Sequence, residues 1–135
     1  MVSIAIVLAD FHKEMAEKML FFAKKKAESL GVQVSLVARV PGAFEAPLAV
    51  KKILEKKQAD AIVVLGIVLR GGTEHDVMVA GNAFRKIADL SIEFEKPVCS
   101  GIIGPRVSKK QAMQRLKPYS EHAVEAAVKM AKLKI

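Results

Sequence analysis

The sequence predicts a three-layer α/β sandwich, a four-stranded parallel sheet with helices on both faces. Three observations carry this expectation. Strand-like and helix-like segments alternate through the 135 residues. The strand-like runs are apolar almost throughout, as expected where both faces of a strand are covered. Glycines and prolines punctuate the ends of these runs, where the chain must turn. Strands separated by helices imply right-handed crossovers and hence parallel pairing. The sequence contains no repeat, linker or low-complexity segment, and its length fits one domain over residues 1–135.

The elements read in order as follows. Ser3 to Ala9 is a short apolar run and the first strand. Ala16, Leu20, Ala23, Ala27 and Leu30 recur at spacings of four and three, a helical stripe capped by Gly31. Val32 to Val40 is the second strand, stopped by Pro41-Gly42. Pro47 suits the first turn of the next helix, with Leu48, Val50, Ile53 and Leu54 as its apolar face. Ala61 to Leu65 is the third strand, ending at Gly66, and an irregular segment runs on through Thr73. A long helix follows from about Glu74 to Glu95, with Val77, Ala80, Phe84 and Ile87 on one face. Pro97 breaks it, and Val98 to Ile103 is the fourth strand, ended by Gly104-Pro105. Two helices close the chain, one from about Ser108 and an alanine-rich one from about Glu121.

Composition narrows the function classes. Hydrophobic residues make up 52% of a chain too small to hide them all, so burial between subunits is expected. No apolar run approaches the roughly 20 residues needed to span a bilayer. The chain opens directly on strand-like sequence, so no signal peptide is expected. A single cysteine, Cys99, makes neither a disulfide framework nor a metal site and suits a cytoplasmic protein. The net charge of +8 raises nucleic acid as a partner. However, the lysines are mixed with glutamates along helix faces, and tryptophan is absent, so no nucleic-acid partner is expected. A positive field would still collect an anionic small substrate.

In a parallel sheet ligands bind beyond the carboxyl ends of the strands. Those ends deliver Asp10-Phe11-His12, the segment from Pro41 to Pro47, the segment from Gly66 to His75, and Ser100-Gly101 with Gly104-Pro105-Arg106. Gly71-Gly72-Thr73 before a helix offers backbone N–H groups and a positive dipole end to an anion, though such turns also arise for purely structural reasons. His75, in the first turn, can move protons near neutral pH or stand solvated. Glu45, in a turn between prolines, can meet ligand hydroxyls or complement a helix dipole. Phe11 can stack on a flat ring or cap the core. Arg115 can clamp a phosphate or be surface charge.

Taken together, Pro41-Gly42-Ala43-Phe44-Glu45-Ala46-Pro47 and Gly66-Ile67-Val68-Leu69-Arg70-Gly71-Gly72-Thr73-Glu74-His75 resemble the lumazine synthase family, in order and spacing. The resemblance covers nearly the whole chain. Arg85 to Leu90 and Ala123 to Met130 are similar to archaeal members in particular.

The resemblance implies condensation of 5-amino-6-(D-ribitylamino)uracil with 3,4-dihydroxy-2-butanone 4-phosphate. The products are 6,7-dimethyl-8-ribityllumazine, phosphate and water. Because the substrate amine attacks the ketone, no cofactor and no metal are implied. It also implies that Phe11 stacks on the pyrimidine and that Ala43, Phe44 and Glu45 hold the ribityl chain. The backbone of Ile67, Val68 and Leu69 reads the pyrimidinedione edge. Gly72 and Thr73 receive the phosphate, His75 transfers protons, and Glu125 lies near that histidine and raises its pKa. Ser100 and Arg115 face the pocket of the adjacent subunit, Arg115 against the phosphate. Members self-associate into pentamers and in some cases into hollow icosahedral or related shells.

The chain departs from the family pattern at His12, at Ser100, where many members carry a large apolar residue, and at Asp76, where bacterial members carry an aromatic. Two other readings remain at this stage. One is the archaeal type of riboflavin synthase, whose pattern lacks the arrangement of Gly72, Thr73 and His75. The other is a flavodoxin-like binding or shell-forming module without activity.

Overall fold

The computed structural model describes residues 1–135. Four strands, β1 (Ser3–Ala9), β2 (Gln33–Val40), β3 (Ala61–Leu69) and β4 (Val98–Val107), form one sheet in the order β2-β1-β3-β4. Every pairing is parallel. Helices α1 (Lys13–Ser29) and α4 (Lys109–Ala131) cover one face, and α2 (Ala46–Glu55) and α3 (His75–Phe94) the other. The three-layer expectation is met. No helix is long and apolar enough to cross a membrane.

The side-chain alternation of the strands divides the core. Ile4, Ile6, Leu8, Val63 and Leu65 join a cluster of 22 buried residues under α1 and α4. Ala5, Val7, Ile62 and Val64 point the other way, into a cluster of 12 under α2 and α3. This inequality shows at the surface. On α3, Met78 and Ile92 are 74% and 77% exposed.

The helices follow the predicted stripes with local exceptions. Ala16, Leu20, Ala23 and Ala27 are buried, while Leu30 lies beyond the last turn and is exposed. Gly31 takes φ +69° after it, the left-handed conformation that ends many helices. On α2, Val50, Ile53 and Leu54 are buried but Leu48 is exposed. On α3 the buried stripe is Asp76, Ala80, Ala83 and Ile87, with Val77 and Phe84 half-buried beside it.

Three boundaries differ from the sequence-based expectation. β3 does not stop at Gly66 but continues to Leu69, with Ile67 buried. A Cβ at Gly66 would lie 2.9 Å from that of Ala9, so the glycine answers close packing of β3 on β1 rather than marking a turn. β4 likewise passes through Gly104-Pro105 to Val107. It is an edge strand, where a proline need not donate to a neighbour. Its ladder with β3 shifts register between Ile67 and Leu69, and Gly104 and Arg106 adopt φ +116° and +61° there. Finally, the two closing helices are one. Pro118 lies inside α4, with Pro118 and Gln114 both exposed. The Gln114 carbonyl, deprived of its usual partner, is therefore open to water. The N-terminus of α4 is secured by a capping box between Ser108 and Gln111.

α4 sits close on the sheet because Gly101 lacks a side chain. A methyl there would meet Leu65 Cδ2 at 2.7 Å, Ala123 Cβ at 3.1 Å and the Tyr119 carbonyl at 3.2 Å. Leu65 can rotate, whereas the Tyr119 backbone can move only with the helix. Gly101→Ala is therefore expected to cost about 1–3 kcal/mol. Urea denaturation would read this as a lower midpoint at unchanged slope; an unmoved midpoint would show that α4 is not held at this distance.

Candidate active site

The carboxyl ends of β1, β2 and β3 open onto one cavity of about 350 Å³. β1 contributes Phe11 and His12 from the loop that follows it. The segment after β2 contributes Gly42, Ala43, Phe44 and Glu45, of which Ala43–Glu45 form a single turn of 3-10 helix. β3 contributes Ile67, Val68 and Leu69, and the start of α3 contributes His75, Asp76 and Val79, with Gly71 between them. The imidazole of His75 and the turn at Ala43 thus face the same space.

Local chemistry explains how each wall is held. The β1 exit is tethered by Asp10, whose N–H donates to the Val40 carbonyl at 3.0 Å. The Asp10 carboxylate lies 3.9 Å from Arg39, which also pairs with Glu17. Phe11 is 77% exposed, its ring edge-on to that of His12 at 5.0 Å. Phe44 is 62% exposed. Two large aromatic rings left this open at a cavity mouth present apolar area for a partner to cover.

At the far wall, Arg70 N–H donates to the Val107 carbonyl at 2.8 Å, so the loop leaves β3 from a fixed point. Thr73 Oγ1 accepts the His75 N–H at 3.3 Å. That contact uses an oxygen lone pair and leaves the hydroxyl proton free to donate. Gly72 and Thr73 are exposed and lie at the rim rather than in the cavity wall.

The remaining sequence-predicted residues lie elsewhere in the chain. Ser100 borders a second cavity, of about 370 Å³, with Ile102, Pro118, Tyr119 and His122. Arg115 lies over the ring of Tyr119 at 6.0 Å, so Ser100 and Arg115 share one patch on the free edge formed by β4 and α4. Glu125 belongs to neither cavity. Its carboxylate is 3.0 Å from Lys26 Nζ, in the last turn of α1, where that helix has returned towards the amino ends of the strands. The hydrogen bond and charge of Lys26 hold the Glu125 carboxyl below its ordinary pKa. Within one chain, Glu125 is therefore a partner of Lys26 rather than of His75.

His12, Gly42 and Gly71, from the strand-end segments, line the cavity as well, and the structure adds Asp76 and Val79 to it. Asp76 was legible, because it stands four residues before Ala80, in register with the buried stripe of α3. Cys99 is half-buried, and desolvation pushes its thiol pKa up, consistent with a core role.

A parallel sheet with a cavity at its carboxyl ends, a glycine-opened loop and an imidazole has the layout of an α/β protein with a small-molecule site. The comparisons make this specific. The family model described as 6,7-dimethyl-8-ribityllumazine synthase matches residues 1–134. A protein of that name from Methanococcus maripaludis is 49% identical over 132 residues, 98% of this chain and 96% of the relative. One from Archaeoglobus fulgidus is 49% identical over 131 residues, covering 97% and 91%. Another, from Saccharolobus solfataricus, is 47% identical over 129 residues, covering 96% and 84%. The chain belongs to the 6,7-dimethyl-8-ribityllumazine synthase family, whose members are transferases.

Burial first, and the positive charge of Lys109 second, hold the His12 imidazole below its ordinary pKa. As pH falls, the unfolded chain therefore binds this proton before the folded one does. The His12 contribution to stability is present above the ordinary histidine value and is lost as pH falls below it towards the folded value. An NMR titration should find the His12 midpoint below that of a free histidine, and Lys109→Gln should move it upward. A midpoint unmoved by that substitution would remove the Lys109 contribution.

Proposed function

We propose that this chain condenses 5-amino-6-(D-ribitylamino)uracil with 3,4-dihydroxy-2-butanone 4-phosphate to give 6,7-dimethyl-8-ribityllumazine, phosphate and water. The carrying observation is the single cavity that unites His75 with the Ala43–Glu45 turn and the end of β3. Family membership supplies the reaction, and the cavity supplies a place for it.

The amine of the pyrimidine substrate is the nucleophile and attacks the ketone. The protein therefore has three tasks: to orient two molecules, to move protons and to hold a phosphate. Phe11, free on one side, stacks on the pyrimidine, and the main chain from Ile67 to Leu69 reads its edge. The turn at Ala43, Phe44 and Glu45 receives the ribityl chain, with the Glu45 carboxylate accepting from hydroxyls. Gly72 and Thr73 at the start of α3 take the phosphate, the Thr73 hydroxyl donating its free proton. His75 then stands between the phosphate site and the reacting carbons, as the group that accepts and returns protons.

Ser100 and Arg115 complete the site from a neighbouring subunit. Their common patch on the β4/α4 edge supports this, because it is separate from the cavity of its own chain. The assembly is a homo-oligomer of pentamers, closed into a shell where pentamers associate further, and its compartment is the cytoplasm. Glu125 assists His75 only if assembly brings it from another subunit, since its own chain ties it to Lys26.

Four measurements test this reading. His75→Ala should lower kcat by about 10²- to 10⁴-fold, the usual worth of a positioned proton-transfer group, with the native assembly retained. Unchanged turnover would remove His75 from the mechanism. Arg115→Ala should mainly raise KM for the phosphate substrate, and an unaltered KM would contradict a phosphate role. Native mass spectrometry should give five times the 14.7 kDa chain mass, or a multiple of it; a monomer fully active at assay concentration would refute the shared site. Incubation with lumazine alone should yield no riboflavin, whose formation would mark the related synthase instead.

A further inference from the structure

We infer that Asp76 is a positioning residue, whose carboxylate sets the place of the Val68 main chain in the cavity by holding the Arg106 turn of β4. The inference rests on the lumazine-forming reading for the identity of the substrate.

Asp76 is 5% exposed and is the only charged side chain buried in the chain. It borders the cavity directly after His75. Its Oδ2 accepts the Arg106 N–H at 2.8 Å, a contact that joins the first turn of α3 to the irregular part of β4. An N–H bonded to a carboxylate is shorter and stronger than a neutral pair. The residue it grips holds a conformation unfavourable for a side chain, φ +61°, and such conformations persist only where surrounding contacts impose them.

The grip reaches the cavity through the backbone. Two residues before Arg106, Gly104 lies against the Val68 carbonyl so closely that an added Cβ would stand 2.2 Å from its oxygen. Here the β3–β4 ladder breaks, with Ile67 opposite Ile103 and Leu69 opposite Val107, so that one residue of β3 faces three of β4. Val68, left without a Cα partner in β4, is placed by Gly104 instead. A displaced Arg106 turn moves Gly104 and therefore Val68, one of the three residues that read the pyrimidine edge. The glycine loop that carries Gly72 and Thr73 is anchored one residue further on, by the Arg70 N–H on the Val107 carbonyl, where β4 has rejoined the ladder at Leu69, so a shift at Arg106 reaches it less directly than Val68.

The test compares the two substrates. In D76A, the KM of the pyrimidine substrate should rise at least about tenfold, and that of the phosphate substrate should stay within about twofold. D76N keeps an accepting oxygen and should recover pyrimidine KM to within about threefold of the parent, without shifting the pH profile. A D76A protein with both constants unchanged, or both raised alike, overturns the proposal. Should D76A fail to fold, D76N decides alone. Recovery as stated supports positioning, and a folded D76N with collapsed turnover or a shifted pH profile overturns it by making Asp76 a proton-transfer group. The parent enzyme is the control. No lumazine from the parent defeats the reading of function, whereas an active parent with no split in D76A defeats only the role of Asp76.

Discussion

The carboxyl rim of this protein depends on β3 running on beyond Gly66. Two close backbone approaches permit it, one to Ala9 at Gly66 and one from Gly104 onto the Val68 carbonyl. With a side chain at either place, β3 would be pushed off a neighbouring strand just before Ile67, Val68 and Leu69. Those residues form the wall between the turn at Ala43 and the imidazole of His75. The wall of the cavity is thus strand, and the glycine loop leaves it from a point fixed by the Arg70 N–H on the Val107 carbonyl. A site that must align two substrates gains from such a base, since small displacements of reacting groups carry large penalties in rate.

Periodicity made most of the architecture legible. The run from Ser3 to Ala9 appears as read, and the stripe from Ala16 to Leu30 is buried at every position but Leu30, which lies beyond the last turn. The failures came where one residue type serves two purposes. Gly66 and Gly104-Pro105 read as stops because glycine and proline end strands more often than they permit close packing. Pro118 read as a helix break, but it lies where its orphaned carbonyl is solvated. Only three-dimensional context separates these cases. The cavity residues from Phe11, Ala43–Glu45, Ile67–Leu69 and His75 were all indicated by their place after strands, because a parallel sheet gathers such positions at one edge. Glu125 came from resemblance alone; Ser100 was indicated by its strand and Arg115 by its chemistry, but only the resemblance assigned the two to a neighbour's pocket, and no rule of single-chain geometry would have done so.

Their location is nevertheless informative when the two faces of the sheet are compared. The core under α1 and α4 is nearly twice as populous as that under α2 and α3. Apolar side chains that a thicker layer would cover remain open on α3, at Met78 and Ile92. Both β2 and β4 are sheet edges, and such edges are seldom left long and bare in stable monomers. Apolar surface on α3, an open β4 edge and an arginine outside the chain's own cavity are the features that support the proposed assembly.

The same logic applies to the aromatic rings at the cavity mouth. Phe11 and Phe44 could have been folded into the core at a gain of roughly 25 cal/mol per Å² of apolar area removed from water. They are instead held outward, Phe11 by the short loop after β1 and Phe44 by the 3-10 turn between Pro41 and Pro47. On the proposed reading, the protein keeps apolar area in water where the flat substrate would arrive, and would recover that area on binding. Affinity for the ring and alignment of its amine towards His75 would then arise from one event. This suits a reaction whose nucleophile belongs to the substrate rather than to the protein.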